Sequence, residues 1–145
     1  MRYVLADVNV WLATLVADHP HHVVATEWWR RELLPSKGQV AFCRITQLGL
    51  LRLLTNERVM GRQRKTIREA WSIYERVLSR RPVIFAPEPE RTEARLAEHC
   101  RLGGASSKFW TDAYLAAFAR AGSFGLVTFD RDFERYPALD LTLLV

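Results

Sequence analysis

Four aspartates stand at the borders of apolar runs, and that placement has chemical consequences. Asp7 closes the run in VLADVNV, Asp130 and Asp132 close the run in LVTFDRDF, and Asp112 lies near the start of FWTDAYLAAFA. Each alone has an ordinary explanation: a helix cap, a turn, or a carboxylate at the positive end of a helix. Together they imply more. Two carboxylates about 4 Å apart repel by roughly 4 kcal/mol at an effective dielectric of about 20. Three in one cleft would take up protons unless a cation held them. Oxygen ligands without cysteine or histidine suit Mg²⁺ or Mn²⁺ rather than zinc. Such ions are shared with substrate phosphates, activate a water and neutralise the charge that develops in phosphodiester hydrolysis.

The elements that must position these acids can be read from hydrophobic patterning. Short apolar runs at 3–6, 40–43, 83–86 and 125–128 predict strands, and 141–144 predicts a fifth. Helical patterns occupy 10–17, 21–34, 45–55, 64–79, 90–101 and 108–121. In the helix over 64–79, Ile67, Trp71, Tyr74 and Leu78 fall on one face. Ser106 or Ser107 can cap the helix that carries Asp112. Strands alternating with helices predict an α/β fold, with helices on both faces of a mostly parallel sheet. Ligands in such sheets bind beyond the carboxyl ends of the strands, where Asp7 and Asp130 both lie.

Bulk properties agree with that chemistry without proving it. A chain of 145 residues, 49% apolar, has the size and core of one domain spanning 1–145. Its 21 basic against 16 acidic residues leave a net charge of +5, which favours an acidic partner. Cys43 and Cys100 read as two small buried hydrophobes in a reducing compartment. The chain shows neither a signal-peptide pattern nor a run of about 18 apolar residues, so a soluble, cytoplasmic protein with no membrane contact is expected. Arg62, Arg64, Lys65 and Arg68, with Arg80 and Arg81 beyond, either grip phosphates or form a solvated helix face. Lys108, after Ser106 and Ser107, is placed to reach a phosphate. The histidines in Asp18-His19-Pro20-His21-His22 read as a loop rather than a zinc site. Trp28 and Trp29 read as half-buried core residues. Gly103-Gly104 is too short for a phosphate loop.

The order and spacing of DVNVWLA (7–13), RITQLGLLRLLTN (44–56), FWTDAYLAAFA (109–119) and LVTFDRDF (126–133) resemble the PIN-domain ribonucleases, in particular the VapC-type toxins of toxin–antitoxin pairs. The resemblance covers the whole chain. It implies a three-layer α/β/α sandwich around a four- or five-stranded sheet, an acid cluster holding Mg²⁺ or Mn²⁺, and endonucleolytic cleavage of RNA. It assigns the metal to Asp7, Asp112 and Asp130, with Asp132 as an auxiliary carboxylate and Asn9 and Thr128 as polar supports. It also implies a small cognate antitoxin and a homodimer. One position departs: Gln47 stands where many members carry glutamate. A carboxamide accepts a hydrogen bond from a metal-bound water but brings no negative charge. Weaker cation binding, reliance on Asp132, or one ion in place of two all remain open. Two rival readings are a haloacid-dehalogenase-like phosphatase with Asp7 as nucleophile, and an RNA-binding module whose site has decayed. The phosphatase chemistry wants an acid two positions on, where this chain has Asn9.

Overall fold

The computed structural model describes residues 2–145. Five strands form one sheet: β1 (Tyr3–Ala6), β2 (Gln39–Phe42), β3 (Val83–Phe85), β4 (Gly125–Thr128) and β5 (Leu141–Leu143). Their spatial order is β3-β2-β1-β4-β5, and every neighbouring pair is parallel. The helices are α1 (Val8–Leu15), α2 (His22–Trp28), α3 (Arg44–Leu54), α4 (Glu57–Met60), α5 (Ile67–Leu78), α6 (Thr92–Cys100) and α7 (Phe109–Gly122). No helix among the described residues is long and apolar enough to cross a membrane.

Alternation along the strands builds the three layers. Val4, Ala6, Val40, Phe42 and Val127 point to one face, where they pack with Val10, Trp11, Leu50, Leu54, Tyr74 and Val77 from α1, α3 and α5. Leu5, Ala41 and Leu126 point to the other, against Ala113, Leu115, Ala116 and Phe118 of α7. Both faces of the sheet are therefore covered, which is why its strands read as continuous apolar runs. Trp11 stacks flat on Phe42, centroids 3.8 Å apart, and Trp29 meets Trp11 edge-on. Trp28 is buried and Trp29 partly so.

Several boundaries differ from the sequence reading, each for a local reason. The first helix starts at Val8 because the Asp7 side chain accepts the Val8 N–H, 2.7 Å away. The helix over 21–34 is α2 followed by a π turn, Trp29–Leu33, closed by the Leu34 N–H on the Trp29 carbonyl. Its fifth helix starts at Ile67 because Thr66 and Glu69 form a reciprocal capping box. That helix buries Ala70, Tyr74 and Val77, leaving Ile67 and Trp71 exposed, contrary to the expected face. The short α4 and the 3₁₀ turn Gly61–Gln63 were not expected. Cys43 is buried, but Cys100, the last residue of α6, is exposed and free.

Candidate metal centre at the carboxyl ends of the strands

Asp7 follows β1 and Asp130 follows β4, and β1 and β4 are hydrogen-bonded neighbours. Thr128, the last residue of β4 and fully buried, joins the two acids. Its Oγ1 donates to Asp7 Oδ2 at 2.8 Å and accepts the Asp130 N–H at 3.0 Å. Asp130 Oδ1 accepts the Asp132 N–H at 2.9 Å, which folds the next residues into a 3₁₀ turn, Arg131–Arg135. That turn brings Asp132 back over Asp130. Asp112 enters from the first turn of α7, on the same edge of the sheet. Asp112, Asp130 and Asp132 each present a carboxylate oxygen within 4.8 Å of the others.

Lys108, at the residue before α7, holds this cluster together. Its Nζ hydrogen-bonds Asp130 Oδ2 and lies 3.3 Å from Asp112 Oδ2 and 3.6 Å from Asp132 Oδ2. Burial pushes the Asp7 carboxyl above its ordinary value, against the Thr128 and Val8 hydrogen bonds, and the Asp130 charge adds to the push. Burial likewise raises Asp112, against the Lys108 charge. At Asp130 burial also pushes upward, but the hydrogen bonds from Lys108 and the Asp132 N–H prevail and hold its carboxyl below the usual range. The Asp130 hydrogen bond and the Asp112 charge hold the Lys108 ammonium well above the ordinary lysine range. The site is thus a set of hard oxygen donors with one tethered cation among them, a donor set that suits Mg²⁺ or Mn²⁺.

Asp112, Asp132 and Lys108 line a cleft of about 370 Å³ together with Arg131, Arg135 and Tyr136. A larger cleft, about 560 Å³, lies between the exposed Asn9, the Asp18–His19 loop and Arg62. Size alone would favour the larger one. Two of the clustered carboxylates, Asp112 and Asp132, line the smaller one.

The PIN domain family model matches residues 4–139. Ribonuclease VapC41 of Mycobacterium tuberculosis is 40% identical over 144 residues, covering 97% of both chains. This chain is a PIN domain of the VapC family. Ribonuclease VapC31 of the same organism is 30% identical over 135 residues, covering 93% of this chain and 94% of the relative. The solved structure of VapBC2 from Rickettsia felis bound to a DNA fragment from its promoter superposes with a TM-score of 0.73 at 19% identity, over the full length of both chains. That likeness shows the fold, an α/β sandwich around a parallel sheet. Family membership displaces the phosphatase alternative.

Within this PIN domain, the residues singled out in the sequence do not all come together. Asp112, Asp130, Asp132 and Lys108 form the cluster just described; Asp132 rather than Asp7 completes the converging triplet, and Asp7 is joined to Asp130 through Thr128. Gln47 is buried on α3, and its Oε1 accepts from Arg44 Nη1 at 2.6 Å, so the amide oxygen is engaged by a cation. The basic cluster divides: Arg62 lines the larger cleft, Arg64 faces Glu57 at 4.0 Å, and Lys65 and Arg68 line a shallow depression beside α5. Ser106 caps a turn rather than the helix, since its Oγ accepts the Lys108 N–H. In the histidine loop, His22 Nδ1 lies 2.7 Å from the Ala13 carbonyl and His21 stacks on Phe129, one residue before Asp130. Sequence reasoning missed the pairing of Lys108 with the acids. The i,i+4 spacing of Lys108 and Asp112 was the available signal. Arg131 and Arg135 in the acid-side cleft left no comparable signal.

Proposed function

We propose that this PIN domain is a divalent-metal-dependent endoribonuclease that acts as a toxin and is neutralised by a small cognate antitoxin. The observation that carries the reading is the convergence of Asp112, Asp130 and Asp132 within 4.8 Å, beside Asp7, in a chain of the VapC family. In this reading Asp7, Asp112 and Asp130 hold Mg²⁺ or Mn²⁺, and Asp132 supports them. When bound, the cation supplies positive charge for the scissile phosphate and lowers the pKa of a water. Asp112 and Asp130 orient that water for in-line attack on phosphorus. The P–O3′ bond breaks, leaving a 5′-phosphate and a 3′-hydroxyl. Arg131 and Arg135, which line the cleft with Asp112 and Asp132, offer positive charge to the phosphates, as does Lys108 once released from the acids, with Arg62, Arg64, Lys65 and Arg68 as outlying contacts to the RNA backbone. Asn9, which lines the larger cleft, and Gln47, which is engaged by Arg44, have no direct role at the cation in this reading.

Partners follow from the same charges. An antitoxin tail covering the acid cleft, with an arginine among the carboxylates, would satisfy them as strongly as any cation of the chain itself. Relatives named as ribonucleases and a VapBC toxin–antitoxin structure of the same fold support this reading. We extend it to a homodimer on the resemblance of the sequence.

The test is cleavage of total RNA by the purified protein with Mg²⁺, Mn²⁺ or EDTA, alongside Asp112→Asn. We expect cleavage with metal, none with EDTA, and none from folded Asp112→Asn. Cleavage undiminished in EDTA would refute the metal reading. Unchanged biological effect of Asp112→Asn would favour the decayed RNA-binding module.

A further inference from the structure

One ammonium touches three carboxylates on two elements: Asp112 on α7, and Asp130 and Asp132 beyond β4. Those are the same three carboxylates that come within 4.8 Å of one another and that the proposed cation would need. A single exposed ion pair contributes little, but here one group satisfies three crowded acids that otherwise repel. Lys108 therefore lies where it competes with the cation for its ligands. The competitor is built to leave. Its side chain is 54% exposed, while Asp112 is 12% exposed, so an outward turn of the lysine sacrifices little burial once its ion pairs are replaced. The adjoining cleft, lined also by Ser106 and Arg131, gives the freed ammonium room on the same side of the site.

We propose that Lys108 is a tethered counter-ion: it holds the three acids in register in the metal-free protein and must be displaced when a divalent cation binds, so that it lowers the metal affinity of the site. This rests on the metal reading above. It makes Lys108 a positioning residue, acting through Asp112, Asp130 and Asp132.

Mn²⁺ titration of the full chain by calorimetry tests it, with Lys108→Met, Lys108→Arg, Arg131→Met and Asp112→Asn in parallel. Arg131 lines the same cleft but pairs with Glu134 instead of the acids, so it controls for loss of one positive charge nearby. We expect Lys108→Met to bind Mn²⁺ at least roughly tenfold tighter than wild type, equivalent to about 1.4 kcal/mol. Lys108→Arg and Arg131→Met should stay within roughly threefold of wild type. Damage to the fold would weaken binding, so a gain separates the proposal from a merely structural role. A second readout is the Lys108 ε-methylene NMR signal, which should move towards that of free lysine as Mg²⁺ is added. Equal or weaker Mn²⁺ binding by Lys108→Met, or an equal gain in Arg131→Met, overturns the proposal while leaving the metal reading intact. Absence of binding in both wild type and Lys108→Met, as in Asp112→Asn, overturns the metal reading itself. Binding by Lys108→Met alone supports the proposal in its strongest form.

Discussion

Replacing the Thr128 hydroxyl with a methyl group tests whether the first and last acids depend on one buried atom. Thr128→Val preserves shape and β-branching, so strand β4 keeps its packing. Two interactions disappear: the 2.8 Å donation to Asp7 Oδ2 and the 3.0 Å acceptance of the Asp130 N–H. A hydrogen bond to a charged group contributes about 1.5–3 kcal/mol, and an unpaired buried N–H costs about 1–3 kcal/mol. Thr128 is fully buried, but Asp7 and Asp130 are only half-buried, so water recovers part of both losses. The net expectation is a loss of about 2–4 kcal/mol, a large part of the roughly 5–15 kcal/mol that stabilises a domain. Urea unfolding at pH 7 in EDTA reads it as a lower midpoint with an unchanged slope. Thr128→Ser, which keeps the hydroxyl, should recover most of the loss. A valine variant as stable as wild type would refute the reasoning, and so would a serine variant no better than valine. In the first case the hydroxyl bears no weight; in the second the methyl, not the hydroxyl, matters.

Two further outcomes follow from packing and burial. His99 is buried between α6 and α7; its Nδ1–H donates to the Ala113 carbonyl and its Nε2 accepts from Arg120, which fixes the neutral ring. Burial first, and the Arg120 charge after it, hold the imidazole below its ordinary value against the Ala113 bond. The folded state thus binds this proton less readily than the unfolded chain. Its contribution is full above the unfolded value of 6.5 and is lost as pH falls. Unfolding free energy should decline towards pH 5 by up to about 1.4 kcal/mol per pH unit, and His99→Gln should remove that part of the slope. Gly49, on α3, faces Val8 of α1: a Cβ there would lie 2.6 Å from Val8 Cγ2. Gly49→Ala should cost about 1–3 kcal/mol by overpacking, measured by thermal unfolding, and a stabilised variant would show that α1 yields freely.

The strand-ending acids were legible because a short apolar run that stops on aspartate is a local pattern. Asp7 and Asp130 could each be assigned to the carboxyl end of a strand from the chain alone, and so could the alternation of strands and helices. The order of the five strands was not legible, since no local signal tells β1 to lie between β2 and β4. The face of α5 was ambiguous for a related reason. Residues 67, 71, 74 and 78 and residues 70, 74 and 77 both satisfy a helical period, and only packing against α3 selected the second set.

The sequence by itself determined the kinds of donor, hard carboxylate oxygens in a basic chain, because residue type decides which ions and protons they prefer. Only the tertiary structure decided that Lys108 lies among acids from two separate elements. Its step to Asp112 is local, i to i+4, but its reach to Asp130 and Asp132 depends on where α7 comes to rest beside the end of β4, which is a matter of long-range packing.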